Sequence, residues 1–181
     1  MNKYAKMIIV LGVVGLLSGT SLALMYRYAT PLIEANQKKA LEEAIFKVIP
    51  DAAGYESIER AGQTFFEVYG DRKKLLGYAF IAEGNGYQGK IKMICGIDKG
   101  LTKLYGIEIL ESVETPGLGG EIVTDGFKGQ FKNLKFLPKI GCVKREKAAD
   151  NEIEAITGAT ISSQSVTDII NDRIELLTKT F

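Results

Sequence analysis

The chain begins with one long apolar stretch and continues with polar and apolar residues at helical spacing. Residues 7–26, MIIVLGVVGLLSGTSLALMY, hold 20 positions without a charge. A helix of that length can cross a bilayer, whose hydrocarbon core is roughly 30 Å thick. Residues 30–50, TPLIEANQKKALEEAIFKVIP, carry apolar residues at helical spacing and predict a juxtamembrane helix with Pro31 in its first turn and its end at Pro50.

The apolar stretch has two interpretations, a retained membrane anchor and a cleaved signal peptide. Ser21-Leu22-Ala23 resembles a small-x-small cleavage site, but apolar residues continue past it as far as Tyr26, which favours the anchor. Lys3 and Lys6 precede the stretch, so we expect a cytoplasmic amino terminus and an extracytoplasmic body in the cell inner or plasma membrane. Gly12, Gly15 and Gly19 share one helical face that would admit a neighbouring helix, although glycine is frequent in membrane helices anyway.

Beyond residue 50 the pattern becomes that of strands. TFFEVYG at 64–70 and LLGYAFIAE at 75–83 flank a polar turn at 71–74, which predicts a hairpin. GKIKMICGI at 89–97 and LTKLYGIEILES at 101–112 follow with a second turn between them. A last helix is predicted from near Ile161, with an apolar stripe that repeats at helical spacing. The predicted fold is α+β: a single transmembrane helix and a small extracytoplasmic domain of antiparallel sheet with packed helices. Its expected divisions are residues 1–27, 28–50 and 51–181.

Charge and composition exclude several classes of function. With 23 basic and 22 acidic residues the chain has no basic excess for nucleic acid. It has no histidine, which removes the commonest metal ligand and the usual general base. Cys95 and Cys142 fit no zinc spacing; they could pair as a disulfide, but we favour two separate buried thiols. No metal site and no catalytic residue is predicted.

Three short segments could hold a ligand. Thr157-Gly158-Ala159-Thr160 precedes the last helix, where a phosphate could bind, although helix capping alone explains such residues more often. ETPGLGG at 114–120 could approach a flat ligand or form a plain turn. GNGYQG at 84–89 is interpreted as a hairpin loop, with Tyr87 favoured in the core over a ligand-stacking position.

These segments, in order, resemble one known family. A single amino-terminal membrane helix, TP.I just after it, GY.G before a strand, ETPGLG, and TGAT at the last helix are similar to the G subunit of Rnf-type ion-translocating ferredoxin:NAD oxidoreductases. The pattern also resembles the related C subunit of sodium-translocating NADH:quinone reductases, but the short outer domain favours the Rnf subunit. The resemblance covers essentially the whole chain.

The resemblance implies a covalent flavin. In that family FMN is joined by a phosphoester to the last threonine of an Asp-x-x-Ser/Thr-Gly-Ala-Thr motif, which here is Thr160. Thr157, Gly158 and Ala159 match the motif, and Glu154 stands where the family has Asp. Residues 51–181 would be the FMN-binding domain, and Ser162, Ser163 and Ser165 would serve in the helix cap and first turn. The residues expected beside the flavin ring are Glu114, Thr115, Pro116, Gly117, Leu118 and Gly119.

The resemblance also implies a role and partners. The chain would be an electron-carrier subunit that relays electrons between neighbouring redox centres of a membrane translocase, with no complete active site of its own. Partners would be the other membrane and peripheral Rnf subunits, a flavin transferase and membrane lipid, with no nucleic acid. Two alternatives stay open: a flavin-bearing subunit of a quinone-reducing or extracellular electron-transfer system, and a cofactor-free membrane-anchored assembly module in which Thr160 is only a cap.

Overall fold

A computed structural model describes residues 2–60 and 62–178. The chain divides into two compact units, Met1–Ala40 and Leu41–Phe181. Helix α1, Lys3–Val48, forms the first unit and continues into the second. Among the described residues α1 is the one helix long and apolar enough to span a membrane, judged by length and composition. Its apolar side chains between Met7 and Tyr26 are exposed, as a lipid-facing helix requires.

The juxtamembrane residues differ from the sequence expectation. They do not start a second helix at Pro31, because Pro31 lies inside the continuous α1. Good helix formers such as Ala29, Leu32 and Ala35 surround it, so the helix continues although Pro31 lacks an amide donor. The expected divisions at residues 27 and 50 stay a prediction.

The second unit is built on a five-stranded antiparallel sheet in sequential order. The strands are β1 Gly54–Arg60, β2 Gln63–Tyr69, β3 Leu75–Asn85, β4 Lys90–Asp98 and β5 Leu104–Ser112. After β5 come a 3₁₀ turn at Gly119–Val123 and the short helix α2, Asp125–Gly129. Two three-residue strands, β6 Gly141–Val143 and β7 Glu152–Glu154, pair in parallel, and helix α3, Thr160–Thr178, ends the described chain.

Each face of the sheet is covered by a different element. Alternation of side chains along the strands sends Phe65 and Phe80 to one face and Phe66 to the other. The first face carries the larger core and packs against α3 through Val166 and Ile170. The second face packs against the end of α1 and the residue after it, with Ala44, Ile45, Val48 and Ile49 buried.

The α+β fold class is confirmed. The two hairpins were predicted from alternation and turn residues, and the structure pairs β2 with β3 and β4 with β5 in those places. Strand β1 was missed because its sequence, GYESIER, is polar and belongs to an edge strand with no fully buried position. Cys95 is buried and Cys142 is half-buried, and both are free thiols, so no disulfide joins them.

Asp98 closes the turn from β4 to β5. Its Oδ1 accepts hydrogen bonds from the amides of Thr102 and Lys103 at 2.7 and 2.8 Å, and its Oδ2 accepts one from the Thr102 hydroxyl at 2.9 Å. Burial alone would raise the pKa of Asp98, but these hydrogen bonds to the charged form outweigh it and lower the pKa below its usual value.

Loss of Ile45 should destabilise the second unit, because its side chain is fully buried between the end of α1 and the sheet. We expect Ile45→Ala to lower the free energy of unfolding by about 2–5 kcal/mol, measured by urea denaturation of the full chain in detergent. Leu32→Ala, an exposed position on the same helix, is the control and should change little. An Ile45→Ala protein as stable as the wild type would contradict this packing.

Asp98→Asn should destabilise the domain in a pH-dependent way. Because the folded-state pKa lies below the unfolded one, the carboxylate stabilises the fold above about pH 4 and the effect is lost as the pH falls through the folded pKa. We expect a loss of about 1 kcal/mol at pH 7, after screening by solvent, that shrinks as the pH falls below 4. Urea titrations across this range test it, with Asp71→Asn in the neighbouring hairpin as control; a difference independent of pH would refute the assignment.

Candidate functional site

The start of α3 leaves hydrogen-bond donors open. The amides of Thr160, Ile161 and Ser162 have no intramolecular partner within the described residues, as expected for the first turn of a helix. The side chain of Thr160 is partly exposed, and its hydroxyl makes no hydrogen bond to any described residue. Amides and helix dipole at such a terminus favour an anionic group, so this turn can receive a phosphate.

Ser163 ties the first turn of this helix to the residues before it. Its hydroxyl donates to the carbonyl of Ala159 at 3.0 Å and accepts from the amide of Ile156 at 3.0 Å. Gly158 lies between them in a turn with φ of 82°, a conformation that favours glycine. Ser163 was expected in the cap or the first turn; it lies in the first turn of α3 but accepts from no amide of that turn.

The 114–120 segment forms a compact turn against α3. The carbonyl of Thr115 accepts from the amides of Leu118 at 3.2 Å and Gly120 at 2.8 Å, and Gly117 supplies a φ of 75° at the apex. Glu114 is 7% exposed and turns its carboxylate inward. One carboxylate oxygen accepts from the backbone amide of Gln88 at 3.0 Å, and the other accepts from the Ser162 hydroxyl at 2.7 Å.

A cavity of about 440 Å³ opens between these segments. A volume of this size is within the range of small-molecule and cofactor sites. It is lined by Tyr87, Glu114, Thr115, Leu118, Gly119, Gly158, Ala159, Thr160, Ile161 and Ser162. The cavity thus brings together residues that lie far apart in sequence, from the β3–β4 loop, the 114–120 turn and the start of α3.

Most of the expected site residues line this cavity, and three do not. Thr157, Pro116 and Gly117 are exposed and lie outside its lining. The preference for Tyr87 in the core was wrong, because Tyr87 is 66% exposed and stands at the cavity. Ser162 was assigned only to the helix turn, since its bond to Glu114 spans 48 positions and leaves no local signal.

A larger groove of about 740 Å³ lies elsewhere along α3. Asp168, Asp172 and Arg173 line it together with residues of β3 and the β1–β2 turn. None of the residues expected at the ligand site lines it. The smaller cavity is therefore the candidate site, because it combines open amides, a hydroxyl and apolar walls.

The two thiols, Cys95 and Cys142, do not line this cavity. Burial raises the pKa of Cys95 far above its usual value, only slightly offset by Arg173. Burial also raises the pKa of Cys142. Among the described residues no cluster of three or more carboxylates, thiols or imidazoles is placed to hold a metal ion.

Comparison with known proteins gives a consistent family. The model of the FMN-binding domain matches residues 86–175, which include every residue of the cavity. The G subunit of the ion-translocating oxidoreductase complex of Vibrio vulnificus is 30% identical, over 87% of this chain and 82% of that protein. The protein of the same description from Methanosarcina acetivorans is 28% identical, over 96% of this chain and 94% of that protein.

The G subunit of the proton-translocating ferredoxin:NAD(+) oxidoreductase complex of Clostridium ljungdahlii is also 28% identical, over 90% of this chain and 85% of that protein. Among solved structures, Shewanella oneidensis NqrC superimposes with a TM-score of 0.57 at 15% identity, over 68% of this chain and 66% of that one. This likeness shows a common fold.

Gly158→Ala should strain the turn that leads into α3. Its φ of 82° is unfavourable for a side chain, and a Cβ there would lie 3.3 Å from Leu118 Cδ2. We expect a loss of about 1–2 kcal/mol in the free energy of unfolding, measured by urea denaturation. Gly129→Ala, where a Cβ meets nothing within 4 Å, is the matched control. Equal stability of the two variants would contradict the assigned turn.

Proposed function

The chain belongs to the family of G subunits of ion-translocating oxidoreductase complexes, and from this premise we propose that it is the covalent-FMN electron-transfer subunit of a membrane ferredoxin:NAD⁺ oxidoreductase. It contains an FMN-binding domain and is a component of an oxidoreductase complex. The attachment, at Thr160, and the relay of electrons between neighbouring redox centres are the proposed parts.

The observation that carries the proposal is the free, partly exposed hydroxyl of Thr160 beside three open amides. A phosphoester at that hydroxyl would place phosphate oxygens at the amino end of α3, where amides and dipole stabilise negative charge. A threonine that served only as a cap would instead accept from one of these amides. Ser163 already ties the residues before α3 to its first turn, so the Thr160 hydroxyl is not needed for that contact.

The cavity walls fit a flat aromatic group next to a phosphate. Tyr87, Leu118 and Ile161 present apolar surface at the opening, and all three are exposed. Gly119 and Ala159 have small side chains, which permits a ligand to approach the inner wall of the cavity closely. We assign Glu114, Thr115, Leu118 and Gly119 to the wall of the site, and place Pro116 and Gly117 in the turn that shapes it.

FMN, when bound, supplies reversible transfer of one or two electrons. The residues of this chain hold, orient and shield the cofactor, and the absence of histidine is no obstacle to that work. Thr157 and Glu154 are exposed just before the attachment point, within reach of an external flavin transferase. We assign them, with Gly158 and Ala159, to recognition by that enzyme.

Helix α1 is proposed as the anchor that holds the domain to the membrane and to the other subunits. The basic residues Lys3 and Lys6 favour an amino terminus in the cytoplasm, which would put the FMN domain on the extracytoplasmic side. Contacts with lipid and with neighbouring membrane subunits follow from the exposed apolar side chains of the helix.

Thr160→Ala should abolish covalent flavin. The protein is expressed with a flavin transferase, denatured, separated on a gel and examined for flavin fluorescence in its band. We expect a fluorescent wild-type band and a dark Thr160→Ala band, since the acceptor oxygen is gone. Thr160→Ser retains a hydroxyl, and Ser165→Ala removes one on the same helix outside the cavity; both should stay fluorescent. A dark wild-type band would leave the assembly module as the function.

A further inference from the structure

Three segments of the candidate site meet at one buried carboxylate. Glu114 contacts the β3–β4 loop through the Gln88 amide and the first turn of α3 through the Ser162 hydroxyl. Its own segment is the 114–120 turn. The two hydrogen bonds join Glu114 to residues 26 and 48 positions away, and no other side chain among the described residues links these three segments.

The space around this carboxylate is closed by two glycines. A Cβ on Gly86 would overlap Glu114 Oε1, and a Cβ on Gly119 would overlap both Glu114 Oε2 and Ser162 Oγ. Any larger side chain at either position would displace the carboxylate. The glycines of GY.G and ETPGLG therefore leave room for Glu114, in addition to shaping the cavity.

We propose that Glu114 is a positioning residue, which holds the β3–β4 loop and the first turn of α3 in place so that Thr160 is presented for flavin attachment; this rests on the proposed function of Thr160. Ser162 follows Thr160 by two residues in the same helical turn. Its bond to Glu114 restrains that turn against the 114–120 segment. The Gln88 bond likewise sets the position of Tyr87 at the cavity opening.

A carboxylate suits this role because it offers two acceptor oxygens to two donors. The backbone amide of Gln88 can only donate a hydrogen bond, and among the described residues it donates to Glu114 Oε1. Glutamine could keep both contacts, with its oxygen toward Gln88 and its amide nitrogen toward the Ser162 hydroxyl. Alanine would keep neither and would leave the hydroxyl of the buried Ser162 without its acceptor, which costs about 1–3 kcal/mol.

The first test measures the hydrogen bond between the Gln88 backbone amide and Glu114 in a protein that carries no covalent flavin. Amide hydrogen exchange is followed at single-residue resolution in the full chain carrying Thr160→Ala, in detergent. Addition of Glu114→Ala should speed exchange of the Gln88 amide by about tenfold or more, the equivalent of one lost hydrogen bond. Glu114→Gln should retain the protection. The Leu104 amide, which bonds the carbonyl of Leu134 away from the candidate site, is the internal control and should not change.

The second test measures presentation of Thr160. With the transferase present, Glu114→Ala and Ser162→Ala should each lower the flavin fluorescence per chain severalfold, and the double variant should be no worse than Glu114→Ala because both act through one contact. Glu114→Gln should restore most of the fluorescence. Glu111→Gln removes an exposed carboxylate from β5 and should match the wild type.

The outcomes distinguish a failure of the Glu114 proposal from a failure of the proposed flavin attachment at Thr160. A dark wild-type band would overturn the flavin function, while the exchange experiment would still decide whether Glu114 fixes the loop. Full fluorescence in both Glu114→Ala and Ser162→Ala, or unchanged Gln88 exchange in Glu114→Ala, would overturn the positioning role. If Glu114→Ala unfolds the domain, so that the Leu104 amide also exchanges fast, Ser162→Ala decides. Lower fluorescence of Ser162→Ala with Gln88 protection retained supports the role, and wild-type fluorescence overturns it.

Discussion

The close contact between α3 and β3 fixes the geometry of everything else in the domain. Gly84 has no side chain, which allows Ile169 to approach so closely that a Cβ there would lie 2.5 Å from Ile169 Cγ1. The buried stripe of Val166 and Ile170 continues the contact along the helix. Because a helix is stiff, this packing determines where its amino end lies. That end falls beside the 114–120 turn, so the phosphate-favouring amides and the cavity walls come together as a result of core packing.

In the candidate site, the polar groups on the inner side have hydrogen-bond partners, and several on the outer side have none among the described residues. Inside, Ser163 and Glu114 use their oxygens on neighbouring groups, as buried polar atoms must if they are not to destabilise the fold. Outside, the amides of Thr160 and Ile161 and the hydroxyl of Thr160 stay without intramolecular partners among the described residues. This division separates groups that maintain the fold from groups left for a ligand.

Local patterns predicted the elements well and the contacts between them poorly. Alternation and turn residues were enough for both hairpins, since β2 to β5 each have one strongly apolar face. The same rule failed for β1, where an edge position tolerates polar residues on both faces. Thr160 was singled out through the order of short motifs, and its role as the flavin attachment point stays a prediction. Glu114 was placed at the ring side by the same motifs, but its inward bonds to Gln88 and Ser162 depend on the tertiary fold and have no signature in any one segment.

The shape of the cavity would make the proposed covalent attachment more important for retaining a ligand than the affinity of the walls. Its apolar opening is formed by the exposed side chains of Tyr87, Leu118 and Ile161, so a bound ring would lose only part of its contact with water. A ligand held by such a shallow surface dissociates readily unless other interactions retain it. A phosphoester at Thr160 would make retention independent of those contacts and raise the effective concentration of the ring at the cavity. The walls would then need only to orient the ring, and the opening could stay exposed for electron exchange with neighbouring centres.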